Sequence, residues 1–316
     1  MFRSSMEVSC AVEKLKKIAA RCCLCPRECG VDRTAGERGY CGAGNVPAIS
    51  SIVKHFGEEP PLVGKRGAGT IFLAYCNLRC VYCQNFQISR GLIKEDYSIE
   101  RLASEILRLQ SQGALNIEPV SPTHQAHTFL EAFGLAVENG LNLPLVYNCG
   151  GYESLDVIKS LNGIVDIYLP DLKYADNSAA EKYSDCPDYV QHARSAIVEM
   201  YSQVGDLETD SEGNGQRGVI IRHLVLPNDI SGSIDTLRWI KANLSENVTI
   251  SLMAQYSPQY DALKFDELNR RINRSEYDRV VDACWDLGFE NVFIQDFRSQ
   301  DFGIPDFAND EPFRWG

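Results

Sequence analysis

The sequence lacks any long apolar run. No stretch of its 316 residues approaches the roughly 20 consecutive apolar residues that cross a bilayer, so no membrane partner is expected. It also lacks surplus positive charge: 31 lysines and arginines face 43 aspartates and glutamates, a net charge of -12. With no excess cation to displace counterions, a nucleic-acid backbone is excluded as a partner, while a small anionic ligand in a local pocket is not. The opening residues, MFRSSMEVSCAVEKLKKIAARCC, carry Glu7 and Glu13 and lack the apolar core of a secretory signal; they read as a short amphipathic helix. No internal repeat and no low-complexity segment is present.

Cysteine is abundant, with 12 residues. A disulfide framework suits a small exported domain, whereas clustered thiols in a long chain without an export signal point to metal binding. The expected compartment is therefore the reducing cytoplasm.

The first 65 or so residues read as loop-rich, with Cys22, Cys23, Cys25, Cys29 and Cys41 among them. Beyond them, apolar runs alternate with helical patterns. Strands are expected at 70–75, 116–120, 143–150, 165–171, 218–227, 248–256 and 290–296, with Pro119 weakening the second. Helices are expected over 98–110, with Ser98 as N-cap, and from His124 to Asn139, stopped by Gly140. Others are expected over 153–161, 187–204 and 231–244, and from Ser275, where Ser275 and Asp278 fit a capping box. Residues 206–217 read as a polar surface loop. Near-continuous apolar strands followed by helices indicate a parallel sheet covered by helices. The fold class is α/β, a partial or full barrel, with a flat doubly wound sheet as the competing arrangement. The expected division is a cysteine-rich extension over 1–65, a barrel core over 66–300 and a tail over 301–316.

The stretch TIFLAYCNLRCVYCQNFQISR places Cys76, Cys80 and Cys83 directly after an apolar strand, with no fourth cysteine nearby. Three thiols at C-x3-C-x2-C on one loop can hold three corners of an iron–sulfur cubane and leave one iron open, as open metal sites do when they carry out chemistry. A structural zinc and a chance group of buried thiols are the alternatives. Cys22, Cys25, Cys29 and Cys41 could saturate a zinc or an auxiliary cluster, with Pro26, Gly30 and Gly42 supplying turns and Cys23 a bystander.

CNLRCVYC resembles the C-x3-C-x-aromatic-C signature of the radical S-adenosylmethionine (SAM) superfamily, with Tyr82 in the aromatic position. HFGEEPPLVG, SPTH, VYNCGGY, VDIYLPDLKY, IRHLVLP and SLMAQY extend the resemblance, from about Cys22 to Gln295, to the pyruvate formate-lyase activating enzyme-like subfamily. CCLCPRECGVDRTAGERGYCG is also usual there. The resemblance implies a partial (β/α)6 TIM-like barrel whose cluster loop lies at the carboxyl ends of the strands. It implies that the three thiolates hold a 4Fe–4S cluster whose fourth iron is chelated by SAM. One electron, from a reductant such as flavodoxin or ferredoxin, then cleaves SAM to methionine and a 5′-deoxyadenosyl radical that abstracts hydrogen from substrate.

Further site residues follow from the resemblance. Asp171 and Lys173 match a D-x-K element beside the SAM carboxylate, and Asn148 stands where activating enzymes often have an aspartate. Gly150 and Gly151 would let backbone approach the ligand. The Gly-Gly-Glu element that receives the SAM amino group is missing, which leaves Ser121, Thr123 or His124 as acceptors. His223 on its strand is a candidate substrate contact, and His55 a further candidate. His124 and His127 read as structural, and Cys149 as an ordinary buried thiol. Three functions remain open. The chain could activate a glycyl radical enzyme, with a protein substrate. It could be a radical SAM enzyme acting on a small molecule or another residue. It could instead be a non-catalytic iron–sulfur electron carrier. Sequence does not decide among them.

Overall fold

A computed structural model describes residues 3–301, 304–309 and 311–313. The expected tail over 301–316 falls partly outside them. The chain is mixed α/β. Its strands are β1 (Ala48–His55), β2 (Ala68–Leu73), β3 (Glu95–Asp96), β4 (Ile117–Val120) and β5 (Val146–Cys149), followed by β6 (Ile167–Pro170), β7 (Glu208–Thr209), β8 (Gly215–Leu224), β9 (Thr249–Met253) and β10 (Val292–Ile294). Its helices are α1 (Ser5–Ala19), α2 (Pro60–Val63), α3 (Phe86–Ser89), α4 (Ile99–Ser111) and α5 (Ala126–Glu138), followed by α6 (Leu155–Ser160), α7 (Asn177–Ser184), α8 (Tyr189–Val204), α9 (Ser233–Asn243) and α10 (Arg274–Asp286).

The strands β2, β4, β5, β6, β8, β9 and β10 lie side by side in chain order, all parallel. This is the curled sheet of a TIM-like barrel, and it is not closed. β1 pairs antiparallel with β2, and β3 with β1. The first 65 residues hold α1, where a short amphipathic helix was expected, then the unexpected strand β1 and α2, with loops between them. β1 escapes the sequence pattern because AISSIVKH mixes serines and a lysine into a half-covered outer strand. The polar loop at 206–217 also contains the β7–β8 hairpin.

Local chemistry explains the helices. Ser4 and Glu7 form a capping box at the start of α1, and Ser98 Oγ accepts from Arg101 N–H at the start of α4. In α4, Leu102, Ala103, Ile106 and Leu109 form the buried stripe. The last helix starts one residue earlier than expected. Asn273 and Glu276 make its capping box, so the Ser275–Asp278 pairing is corrected. Asn is as good an N-cap as Ser, and here its side chain wins the N3 amide.

α1 buries Val8, Ala11, Val12, Leu15 and Ala19 in one apolar core with Phe129 and Phe133 of α5. At the opposite end of the barrel, α2 plugs the floor. Leu62 packs against Val146, Ile167, Leu169 and Ile220, and its carbonyl accepts from Asn116 Nδ2 at 2.8 Å. The tail returns to the open side, where Phe307 and Phe313 lie 5.3 and 5.1 Å from Phe72, ring to ring.

Candidate active site

β2 ends at Leu73, and the cysteine loop begins immediately beyond it. The loop's backbone is tied to the end of α7: Arg79 N–H donates to Ser184 O at 3.1 Å, and Val81 N–H to Tyr183 O at 2.8 Å. The N-terminal segment braces it from the other side. Arg27 Nε donates to Asn77 O at 3.1 Å, and Arg79 Nη2 to Tyr40 O at 2.6 Å. The Tyr40 ring is flanked by the guanidinium groups of Arg27 and Arg79, at 3.8 and 4.8 Å from its centre.

A cavity of about 640 Å³ runs from this loop down the inside of the barrel. Cys76, Cys80 and Cys83 all line it. Each sulfur has a polar neighbour: Leu78 N–H donates to Cys76 Sγ at 3.4 Å, Ser184 Oγ to Cys80 Sγ at 3.0 Å, and Ser89 Oγ lies 3.3 Å from Cys83 Sγ. Burial first, and then the neighbouring Cys80, push the Cys76 thiol up to about 12 and raise that of Cys83. The bare Cys76 and Cys83 thiols are therefore protonated, and a metal must displace those protons to bind. Among the described residues no three metal-ligating side chains converge on a single ion. A cubane spreads its ligands over three separate irons, so three sulfurs facing one cavity with hydrogen-bond donors beside them fit such a group.

The cavity also gathers Tyr82, Ser121, Asn148, Gly150, Asp171 and Lys173. Ser121 holds φ at +54°, a strained value for serine at the end of β4. Lys173 Nζ donates to Asp171 Oδ2 at 2.5 Å. Burial alone would lower the Lys173 pKa, but the Asp171 carboxylate overrides it and raises it well above the ordinary value, so Lys173 stays protonated. Tyr82 sits with its hydroxyl 2.7 Å from that of Tyr174, which in turn meets Ser184 Oγ at 2.7 Å. This chain leads back to Cys80.

Thr123 and His223 are not brought to the cavity. Thr123 is buried and donates to Glu153 Oε1 at 2.7 Å. His223 is fully buried, with Nδ1 2.6 Å from Leu172 O and Nε2 2.9 Å from Ser233 Oγ. Both ring nitrogens are occupied, so the substrate-contact expectation for His223 is corrected: a strand residue whose side chain points outward packs between sheet and helix. His124 is likewise buried, with Nε2 2.8 Å from Ala74 O, and burial lowers its pKa to about 4. Cys149 lines the cavity, its thiol held well above the usual range by burial. Gly150 faces Leu78 and Lys173, whereas Gly151 turns its hydrogen toward Asp171 O and Tyr189.

Sequence reasoning missed a second group on the same cavity: Glu58, Glu59 and Arg222, with Glu118 behind them. Arg222 Nε and Nη2 donate to Glu59 Oε1 and Oε2 at 2.7 and 2.6 Å, and Nη2 also meets Glu58. The available signal was a glutamate inside NIEPV and an arginine inside GVIIRHLVLP, charges in strands that are otherwise apolar.

Of the four N-terminal cysteines, Cys22, Cys25 and Cys41 are buried and Cys29 is half-buried. Arg33, 1% exposed, sits among them: Nη2 lies 2.7 Å from Cys41 Sγ, and Nη1 donates to Ala43 O. Burial would lower the Arg33 pKa, but Cys41 and Cys22 raise it.

Glu153, fully buried beside Thr123 and Cys149, is raised to about 7 by its burial. The unfolded carboxyl ionises near 4.5, so from pH 4.5 to 7 the native state holds a proton that the unfolded state has lost. Stability is then expected to fall as pH rises through that window, by a contribution on the order of 3 kcal/mol. Urea unfolding at pH 5 and pH 7.5 under anaerobic conditions measures it, and Glu153→Gln should shrink the difference.

No helix among the described residues is long and apolar enough to cross a membrane. No family model matches the chain. Among solved structures, the chain is similar to the FeFe-hydrogenase maturase HydG from Carboxydothermus hydrogenoformans, with a TM-score of 0.52 at 13% identity over 73% of this chain and 55% of that one. That likeness concerns the fold alone, and this chain spans about half the maturase's length. In sequence, it is 28% identical over 172 residues to the uncharacterized protein MJ0808 of Methanocaldococcus jannaschii, covering 47% of this chain and 48% of that protein. It is 30% identical over 292 residues to the uncharacterized protein MJ0674 of the same organism, covering 89% of this chain and 79% of that protein. By that extent of shared sequence, the chain belongs to the family of MJ0674.

Proposed function

We propose that this chain is a radical SAM enzyme, in which Cys76, Cys80 and Cys83 hold a 4Fe–4S cluster and the cavity below them receives SAM and substrate. The observation that carries this reading is the convergence of three hydrogen-bonded thiols on one barrel cavity beside a charged Lys173–Asp171 pair. When bound, the cluster and SAM supply a one-electron cleavage that delivers a 5′-deoxyadenosyl radical for hydrogen abstraction. The protein's own part is placement. Lys173 would pair with the SAM carboxylate, Asp171 would orient Lys173, and Ser121, Asn148 and the Gly150 backbone would line the nucleoside. Tyr82 would support the cluster loop through Tyr174 and Ser184. The reductant would be a small electron carrier such as a flavodoxin or ferredoxin.

The finer reading, activation of a glycyl radical enzyme, requires a partner's loop to enter the barrel mouth. The polar wall formed by Glu58, Glu59 and Arg222 favours a second reading, a polar small molecule or side chain reaching deep into the cavity. The proposed division is a cysteine-rich extension over 1–65 that braces the cluster loop, a barrel over 66–300 and a tail, working in the cytoplasm. A second metal centre at Cys22, Cys25, Cys29 and Cys41 is part of the proposal. A buried guanidinium whose only side-chain partners among the described residues are sulfurs is balanced when those sulfurs are thiolates, the form in which cysteine binds metal.

The test is anaerobic reconstitution, iron and sulfide quantification, and reduction with dithionite in the presence of SAM. About four irons per chain and formation of 5′-deoxyadenosine are expected, or about eight irons if the N-terminal centre is a second cluster. Iron-free protein, or no SAM cleavage, removes the reading. Cys25→Ala should lower iron or zinc content and leave SAM cleavage in place; unchanged metal content would show the N-terminal group to be empty.

A further inference from the structure

The barrel interior is built in tiers. Phe72, Val120, Leu224 and Met253 surround the cavity just below the cysteine loop. Their register partners one step deeper are polar. Thr70 pairs with Glu118, and Arg222 with Ser251. Because side chains alternate across a strand, Thr70 and Glu118 face the same interior as Phe72 and Val120. Below this polar tier lies the apolar plug of Leu62, Val146, Ile167 and Ile220. Glu58 and Glu59, directly before α2, meet Arg222 in the polar tier.

Among the described residues the tier is short of positive charge. Glu58 and Glu59 share the single guanidinium of Arg222. Glu118, 0% exposed, accepts from Asn148 Nδ2 at 2.7 Å through Oε1, and its Oε2 has no hydrogen-bond partner among the described residues. Thr70 Oγ1, directly across the β2–β4 register and equally buried, is also unpartnered. Two orphaned polar atoms at one level of a barrel mark a missing partner, since a buried polar atom is costly to leave without one. Among the described residues no other cation supplies it. His55 lies 3.4 Å from Glu58 but burial lowers its pKa, and Lys173, a tier higher, is paired with Asp171. Burial, and then the charge of Glu58, hold the Glu118 carboxyl well above the usual carboxylate range.

We propose that this tier is a substrate subsite for an organic cation, an ammonium or guanidinium group that donates to Glu58, Glu118 and Thr70 while the rest of the substrate extends upward toward the three cysteines. The subsite deepens the proposed radical SAM function, because Glu58, Glu59, Arg222 and Ser251 line the same cavity as the three cysteines, with Glu118 buried behind that wall against Asn148 and Thr70 across from it. Its binding chemistry is nevertheless measurable without SAM.

Anaerobically reconstituted full-length protein, free of SAM, is titrated calorimetrically with methylguanidinium chloride and with butylammonium chloride. Potassium acetate and potassium chloride at matched ionic strength serve as controls. Saturable binding of an organic cation is expected, weakened about tenfold or more by Glu118→Gln and by Glu58→Gln, as loss of a charged hydrogen bond implies. Glu118→Gln preserves shape, and unchanged thermal unfolding separates lost recognition from misfolding. Absence of saturable cation binding, equal affinity in wild type and both variants, or binding of acetate instead would overturn the subsite. The two readings fail separately. SAM cleavage without cation binding removes the subsite alone, and cation binding by protein that cannot cleave SAM removes the radical chemistry alone.

Discussion

Cys80→Ala is expected to reduce 5′-deoxyadenosine formation to the background of protein-free dithionite and SAM, and to remove about four irons per chain. The reason is the count of ligands. With three thiolates on three irons, loss of one leaves a cluster with two protein anchors and two exposed irons. The substitution is chemically clean because the loop does not depend on the sulfur for its shape. Arg79 and Val81 on either side are tied by backbone to Ser184 and Tyr183, and Arg79 is further tied to Tyr40. Alanine at this position therefore keeps those backbone ties and loses the ligand, together with the Ser184 Oγ hydrogen bond to its sulfur. Cys149→Ala is the matched control. That thiol also lines the cavity but lies at the end of β5, away from the loop, and its variant should retain both iron and SAM cleavage. Retained cleavage in Cys80→Ala, or equal loss in Cys149→Ala, would contradict the assignment of ligands.

The same comparison shows which features a sequence carries openly. The parallel strands were legible because a strand covered on both faces is apolar throughout, as in AGTIFL and IYLP. β1 was not, because an antiparallel outer strand half open to solvent shows no such run. α7 escaped for a different reason: NSAAEKYS is short and weakly patterned, and it holds its place through the Asp176 cap and the left-handed Asp185. At the site, the cysteine spacing is local and could be read directly. The Glu58–Glu59–Arg222 group could not, since its members lie 163 and 164 positions apart and meet only once the barrel curls and α2 plugs it. His223 shows the converse. Placed on a strand among apolar residues it resembled a cavity residue, but strand alternation sends it outward to Ser233 while its neighbour Arg222 points in. The direction of a single residue along a short strand is set by register, and register is a tertiary property.

Gly151→Ala is expected to cost about 2–5 kcal/mol of stability and to weaken SAM binding at least about tenfold. Gly151 holds φ at +82°, a region that charges an alanine roughly 1–2 kcal/mol. The larger part of the effect is steric. A Cβ here would overlap the carbonyl oxygen of Asp171 and come within 2.8 Å of Tyr189 Oη. Neither neighbour can yield cheaply. Tyr189 Oη is a junction: it lies 2.9 Å from Gly150 O and 2.8 Å from Asp171 O, and accepts from Lys173 N–H at 3.0 Å. That junction clasps the end of β5 to the end of β6 and sets the backbone from which Asp171 and Lys173 project. Pushing it apart displaces the charged pair proposed to hold the SAM carboxylate. Gly163→Ala isolates the conformational part, since Gly163 has φ +80° but nothing within 4 Å of the added carbon. It should cost only about 1 kcal/mol and leave SAM binding unchanged. Thermal unfolding and SAM titration of both variants measure the difference. Equal behaviour would mean that the close approach of Gly151 to Asp171 does not position the pair.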